Sequence, residues 1–235
     1  MNKKNVNPML MMAVLLILLR MVRGNMFSLS SLLDKLLLLP AIIIGLSVHE
    51  FAHAFVSDRL GDPLPRAQGR VTLNPLRHID PIGFVMLLLC GFGWGVPVQI
   101  DPRYYKKRRR DEALVAVAGV TMNFITAVVF CFIFRFVSPL LSAGRGIGGI
   151  IGMMIIYTVM TNIVLMVFNL IPCPPLDGFN IITQIFNLRK YGWYQKAMQY
   201  GYFILLLFII LGGADLILSP VVSVIYNGII NLICY

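Results

Sequence analysis

Residues 36–60 read LLLLPAIIIGLSVHEFAHAFVSDRL, an apolar run interrupted by His49-Glu50-Phe51-Ala52-His53. On a helix, residues four apart share a face, so His49 and His53 can present both imidazoles to one metal ion. Glu50 sits beside the first of them, placed to take a proton from a water on that metal without ligating it. Two His and a carboxylate hold Zn²⁺ with a fourth position open, and water bound there loses a proton near neutral pH. Ionisable residues inside an apolar helix are costly, so their presence points to a function. The motif still lacks its carboxylate, and finding one decides the reading.

Of 235 residues, 58% are hydrophobic and only 13% charged. Soluble domains carry about a quarter charged residues. The chain therefore reads as an all-α polytopic membrane protein with about six spans, a single domain over residues 1–235. The formal charge of +10 is gathered in a few loops without interleaved aromatics. That pattern sets membrane orientation and excludes nucleic acid as a partner. The four cysteines form no Cys-x-x-Cys pair and no secreted disulfide pattern.

Outward from the motif, Gly61-Asp62-Pro63 should end its helix, and Pro40 should fall in the first turns, where a missing N–H is tolerated. Ser28–Lys35 reads as a polar interruption before that helix. Residues 1–25 read as a marginal first span or a surface helix. Residues 61–80 form a loop with a short strand expected at Arg70–Leu73. His78 in that loop is a further candidate ligand, although a loop His is ordinarily solvated. Pro81 to Ile100 is apolar but broken by Gly91, Gly93, Gly95 and Pro97. Irregular backbone at membrane depth needs protein or a water-filled cavity around it. A re-entrant or short β segment, strand-like over Val96–Ile100, is therefore expected beside the active site.

Lys106-Lys107-Arg108-Arg109-Arg110 marks the cytosolic side, as do Arg189, Lys190 and Lys196. Spans are expected over Glu112 to Leu141 and Ile150 to Leu170, joined by a glycine-rich outer loop at 142–149. One or two more follow within 198–235. The span ending at Leu170 runs into Asn169-Leu170-Ile171-Pro172-Cys173-Pro174-Pro175-Leu176-Asp177-Gly178. The charge rule puts this break on the same side as the end of the His helix, so Asp177 arrives at the depth of His49 and His53. Asp177 thus supplies the missing carboxylate, with Cys173 as a neighbouring alternative.

HEFAH and NLIPCPPLDG, together with QGRVTLNPLRHIDPIG (68–83) and GFGWGVPVQIDP (91–102), resemble the site-2 protease family of intramembrane zinc metalloproteases. The likeness covers most of residues 26–190, within a catalytic core over 36–190, and is closest to compact bacterial members lacking a PDZ or CBS domain. It implies one catalytic Zn²⁺ on His49, His53 and Asp177, with Glu50 as general base. It also implies transmembrane protein substrates cleaved within the lipid bilayer, and a multi-pass protein of the bacterial cell membrane with its active site toward the cytosol. The family's Gly-Pro-x-x-Asn is Gly119-Val120-Thr121-Met122-Asn123 here, and by resemblance Asn123 would contact substrate. A packing role for Asn123 between helices fits the residue type equally well. Two competing readings use the same residues: a divalent-cation transporter, which needs a polar path across the whole bilayer, and a silent scaffold, which has no use for Glu50.

Overall fold

A computed structural model of the chain describes residues 29–90, 95–142 and 146–234. The reading of residues 1–25 and most of the glycine-rich breaks at 91–94 and 143–145 lie outside these. Among the described residues the regular structure is helical. In chain order it comprises α1 (Leu29–Arg59), α2 (Leu64–Ala67), α3 (Pro81–Cys90), α4 (Arg108–Ser142), α5 (Ile147–Leu170), α6 (Asp177–Phe186), α7 (Gly192–Ile210) and α8 (Gly213–Cys234). Four helical stretches are long and apolar enough to cross a membrane: Leu33–Arg59, Arg108–Pro139, Ile147–Leu170 and Gly213–Cys234.

α1 begins earlier than its composition indicated. The Ser28–Lys35 segment, expected as an interruption, is helical from Leu29, and Pro40 lies inside the helix rather than in its first turns. The missing Pro40 N–H leaves a gap in the ladder that a spanning helix packed on neighbours tolerates. At the other end Gly61 turns the chain with φ +106°, a conformation open to glycine at no steric cost. Asp62 then gathers the ends of two segments. Fully buried, its carboxylate accepts from Ser57 Oγ (2.8 Å), Leu64 N (3.0 Å) and Asp101 N (2.8 Å). The Tyr105 hydroxyl reaches Ser57 Oγ at 2.7 Å, and burial pushes this phenol up to about 12.

The strand expected at Arg70–Leu73 is absent. The chain bends there, with Thr72 N bonded to Arg70 O, and Asn74 caps a 3₁₀ turn over Pro75–Arg77 by accepting from Leu76 N. Local side-chain bonds of this kind compete with strand pairing. Asp80 caps α3 through Gly83 N at 2.7 Å. With 10 residues, α3 is about 15 Å long, half the thickness of a bilayer core. Residues 96–100 carry no regular structure, and one isolated bridge joins Ile79 to Gly95. The described fold is thus helical around the site, with an irregular strap at 95–100.

α1, α4 and α5 pack on one another, and α8 lies against α4 and α5. The core between them uses Val120, Ala127 and Cys131 of α4, Val159, Ile163 and Val167 of α5, and Val222, Ile229 and Ile233 of α8. These positions recur at four- and seven-residue spacings, the mark of one helix face. Away from that stripe α4 exposes Ile125, Phe132 and Phe136, which is where a lipid-facing helix puts its large apolar groups. Apolar burial is no driving force between helices in lipid, so close packing takes over. At Gly45 a Cβ would lie 2.6 Å from Leu165 Cδ1, so α1 meets α5 at a residue without a side chain.

Candidate metal centre

The imidazoles of His49 and His53 meet Asp177 where α1, α4 and the start of α6 converge. His49 Nε2 and His53 Nε2 are 3.0 Å apart, and Asp177 Oδ2 is 3.2 Å from the first and 3.3 Å from the second. The far nitrogens fix how these atoms behave. His53 Nδ1 lies 2.7 Å from the Val115 carbonyl, which can only accept, so Nδ1 carries the proton. His49 Nδ1 lies 2.6 Å from Asn123 Oδ1. Asn123 Nδ2 donates to Gly45 O (3.1 Å) and Asn162 Oδ1 (2.9 Å), which identifies the other amide atom as the acceptor. In neutral imidazoles both Nε2 atoms would therefore turn lone pairs toward each other. Asp177 Oδ2, buried and without a hydrogen-bond partner, adds a third. Three atoms able to serve as ligands converge within 4.8 Å of one another, and between neutral imidazoles and a carboxylate their lone pairs would repel unless a cation lay among them, so the residues fit a metal ion. The Nδ1 bonds are the outer partners that orient metal-binding imidazoles and raise their basicity.

One face of α4 sets this geometry. Glu112, Val115, Gly119 and Asn123 follow at three- and four-residue intervals, so they line one stripe. Gly119 is where the helix comes closest: a Cβ there would stand 2.5 Å from His53 Nε2 and 2.6 Å from His49 Cε1. Asp177 depends on a second close approach. It is the first residue of α6, and the Pro-rich turn folds back so tightly that a Cβ on Gly178 would fall 2.2 Å from Leu170 O.

Glu50 stands outside the ligand cluster, on the wall of a cleft of about 400 Å³ that also contains His49, His53 and Asp177. The strap forms the facing wall. Val98 N donates to Glu50 Oε2 at 2.9 Å, and Val96 N donates to His78 O at 2.7 Å.

The remaining sequence candidates are placed elsewhere. His78 is fully buried rather than solvated; its Nε2 donates to Thr72 O at 2.7 Å and it supports the strap, outside the ligand cluster. Cys173 Sγ faces Pro174 O at 3.6 Å, also outside the cluster, and burial pushes its thiol up, away from the thiolate a metal requires. Asn123 is fully buried, and each polar atom of its amide has a protein partner. Sequence reasoning did not single out Val115, whose contribution is a backbone carbonyl, or Asn162. It also passed over Glu112, which sits beside the basic run. An acidic residue next to five cations, at the start of an apolar span, was the available signal.

The family model described as "Peptidase family M50" matches residues 142–212, a stretch that contains Asp177. "Putative zinc metalloprotease YwhC" of Bacillus subtilis (strain 168) is 32% identical over 200 residues, covering 83% of this chain and 90% of that protein. "Putative zinc metalloprotease Rip2" of Mycolicibacterium smegmatis is 27% identical over 182 residues, 74% of this chain and 67% of that one. Its namesake in Mycobacterium tuberculosis (strain H37Rv) is 28% identical over 174 residues, 71% of this chain and 64% of that one. No solved structure matches the chain.

Proposed function

This chain belongs to peptidase family M50, the site-2 protease family, and is a zinc metalloprotease; from that premise we propose that it hydrolyses peptide bonds in or near transmembrane segments of other membrane proteins. His49, His53 and Asp177 would hold the zinc, and Glu50 would be the general base. The observation that carries the reading is the meeting of three ligand atoms, two of them on imidazoles backed by Asn123 and Val115, beside helices apolar enough to span a membrane.

When bound, zinc supplies Lewis acidity, which makes a water nucleophilic near neutral pH and polarises the scissile carbonyl. The protein's own groups do the rest. Val98 N–H occupies Glu50 Oε2, which aims the carboxylate and leaves Oε1 to take the proton of the attacking water. Glu50 then carries that proton to the leaving amine. Asn123 and the Val115 carbonyl fix the imidazole tautomers and keep both Nε2 atoms facing the ion. A substrate helix must unwind locally to expose a carbonyl, and the strap offers an edge to the unwound segment.

The proposal extends to architecture. Residues 1–235 would form one membrane-embedded domain of about six spans, with the short α3 and the strap as the re-entrant piece. The basic loops would face the cytosol of a bacterial cell and bring the active site to that side. The end of α1, the start of α4 and the 184–189 turn are linked by Asp62–Asp101 and Arg189–Glu112 contacts, which supports a shared side for those loops.

The test is reconstitution of the purified protein with zinc in liposomes, together with a single-span model substrate, and mass spectrometry of the products. Termini inside the apolar stretch or at its edge are expected. Cuts confined to water-exposed flanks of the substrate would overturn the intramembrane reading.

A further inference from the structure

Glu112 is an acidic side chain, 7% exposed, beside the cleft. Four donors reach it from three elements. Arg108 Nε, one turn earlier on α4, reaches Oε1 at 2.9 Å, and Gln184 Nε2 of α6 reaches Oε2 at 2.7 Å. Arg189, in the 3₁₀ turn after α6, forks onto both oxygens, with Nη1 to Oε1 at 3.1 Å. Beside it, Arg109 ties down the last carbonyls of α6. Its Nε and Nη2 donate to Gln184 O at 3.0 and 2.5 Å, and Nη2 also to Ile185 O at 3.0 Å. The three arginines are therefore engaged with Glu112 and the end of α6.

α6 is a 10-residue helix whose first residue is Asp177. Its N-terminal end is held at Gly178 against Leu170 O, and its C-terminal end by Glu112 and Arg109. The distance between the ends is about 15 Å along the axis, at about 1.5 Å per residue. α4 thus grips both sides of the site: Val115 and Asn123 hold the imidazoles, and Glu112 with Arg109 holds the far end of the helix that carries the carboxylate. We propose that the Glu112–Arg189–Gln184 cluster and Arg109 are a positioning device that sets Asp177 in register with His49 and His53. Its working consequence is metal affinity exerted through Asp177. The inference rests on Asp177 being a zinc ligand.

The test is a zinc-affinity cycle on the full chain in detergent, by competition with chelators of graded strength, for wild type, Glu112→Gln, Asp177→Ala and the double variant. Removing an outer-shell partner of a metal site typically costs about 10–100-fold in affinity. Glu112→Gln is expected at the lower end, about 10-fold. In the Asp177→Ala background the same change should be within about 2-fold, as for independent sites. Arg109→Gln should repeat the pattern and stands in if Glu112→Gln does not fold. Val222→Ala, which destabilises the α8 packing, should leave affinity unchanged. An equal loss in both backgrounds, or no loss in either, would overturn the positioning role. If Asp177→Ala keeps wild-type affinity, the ligand assignment fails and the inference with it; if Asp177→Ala weakens binding and Glu112→Gln does not, only the inference fails.

Discussion

Replacing Gly119 with Ala adds one methyl group at the closest approach of α4 to the imidazoles. The new carbon would lie 2.5 Å from His53 Nε2, 2.6 Å from His49 Cε1 and 2.7 Å from His53 Cε1. Non-bonded heavy atoms prefer about 3.5 Å, so a displacement of about 1 Å is required. The rings cannot yield cheaply, because their Nδ1 atoms are held at 2.6 and 2.7 Å by Asn123 and Val115. Overpacking costs about 1–3 kcal/mol, while Ala gains about 1 kcal/mol over Gly in a helix interior. The net loss of stability is about 0–2 kcal/mol, small enough for the variant to fold. The site suffers more. Zinc affinity should fall about 10–100-fold, and a misplacement of about 1 Å should cost about 100-fold in cleavage rate. Thermal unfolding, zinc competition and cleavage of a model substrate in detergent would measure all three. Gly149→Ala, where a Cβ meets open space, is the matched control. Wild-type zinc affinity and cleavage in Gly119→Ala would refute the claim that α4 sets the ligand geometry through this contact.

Asn123→Ala strips His49 Nδ1 of its acceptor and leaves Gly45 O and Asn162 Oδ1 without their donor; about 1–3 kcal/mol of stability and about 10–100-fold of zinc affinity should be lost. Chelator competition that finds affinity intact would return Asn123 to the role of substrate contact. Val98→Pro removes the N–H that meets Glu50 Oε2, so cleavage should drop with zinc content unchanged, and an unaffected rate would show that the strap does not aim the base. Asp62→Asn turns a buried acceptor of three bonds partly into a donor and should cost about 1–3 kcal/mol; an unchanged melting temperature would show that Asp62 does not tie the end of α1 to the loop at 101–105.

The proposed metal ligands were readable because each leaves a mark along the chain. His49 and His53 announce themselves by helical spacing in an apolar run, and Asp177 by a Pro-rich break on the same side. The residues that hold them leave no such mark. Asn123 has the same letter whether it faces a substrate or a neighbouring helix, and its Gly45 and Asn162 partners come from other helices. Val115 acts through its backbone, which no side-chain pattern reveals. Gly119 was legible as a motif position but not as the point of contact with two rings, which depends on how α4 crosses α1. Glu112 was masked by the five cations before it, which read as a solvated orientation signal although the exposed Arg108 and Arg109 also bond Glu112 and the end of α6. Arg70–Leu73 had the composition of a strand and no edge to pair with, so local bonds from Thr72 and Asn74 took over.

The central claim is that Glu50 moves the proton while other residues hold the zinc, and Glu50→Gln tests it most directly. The substitution keeps the size of the side chain and a bond to Val98 N–H but removes the base. Zinc stoichiometry and cleavage of a model transmembrane substrate are measured side by side for wild type and variant. Zinc content should stay near wild type while cleavage falls by about 10²–10⁴-fold, the usual contribution of general-base catalysis. Equal cleavage by the two proteins would contradict the mechanism, even with zinc at the site.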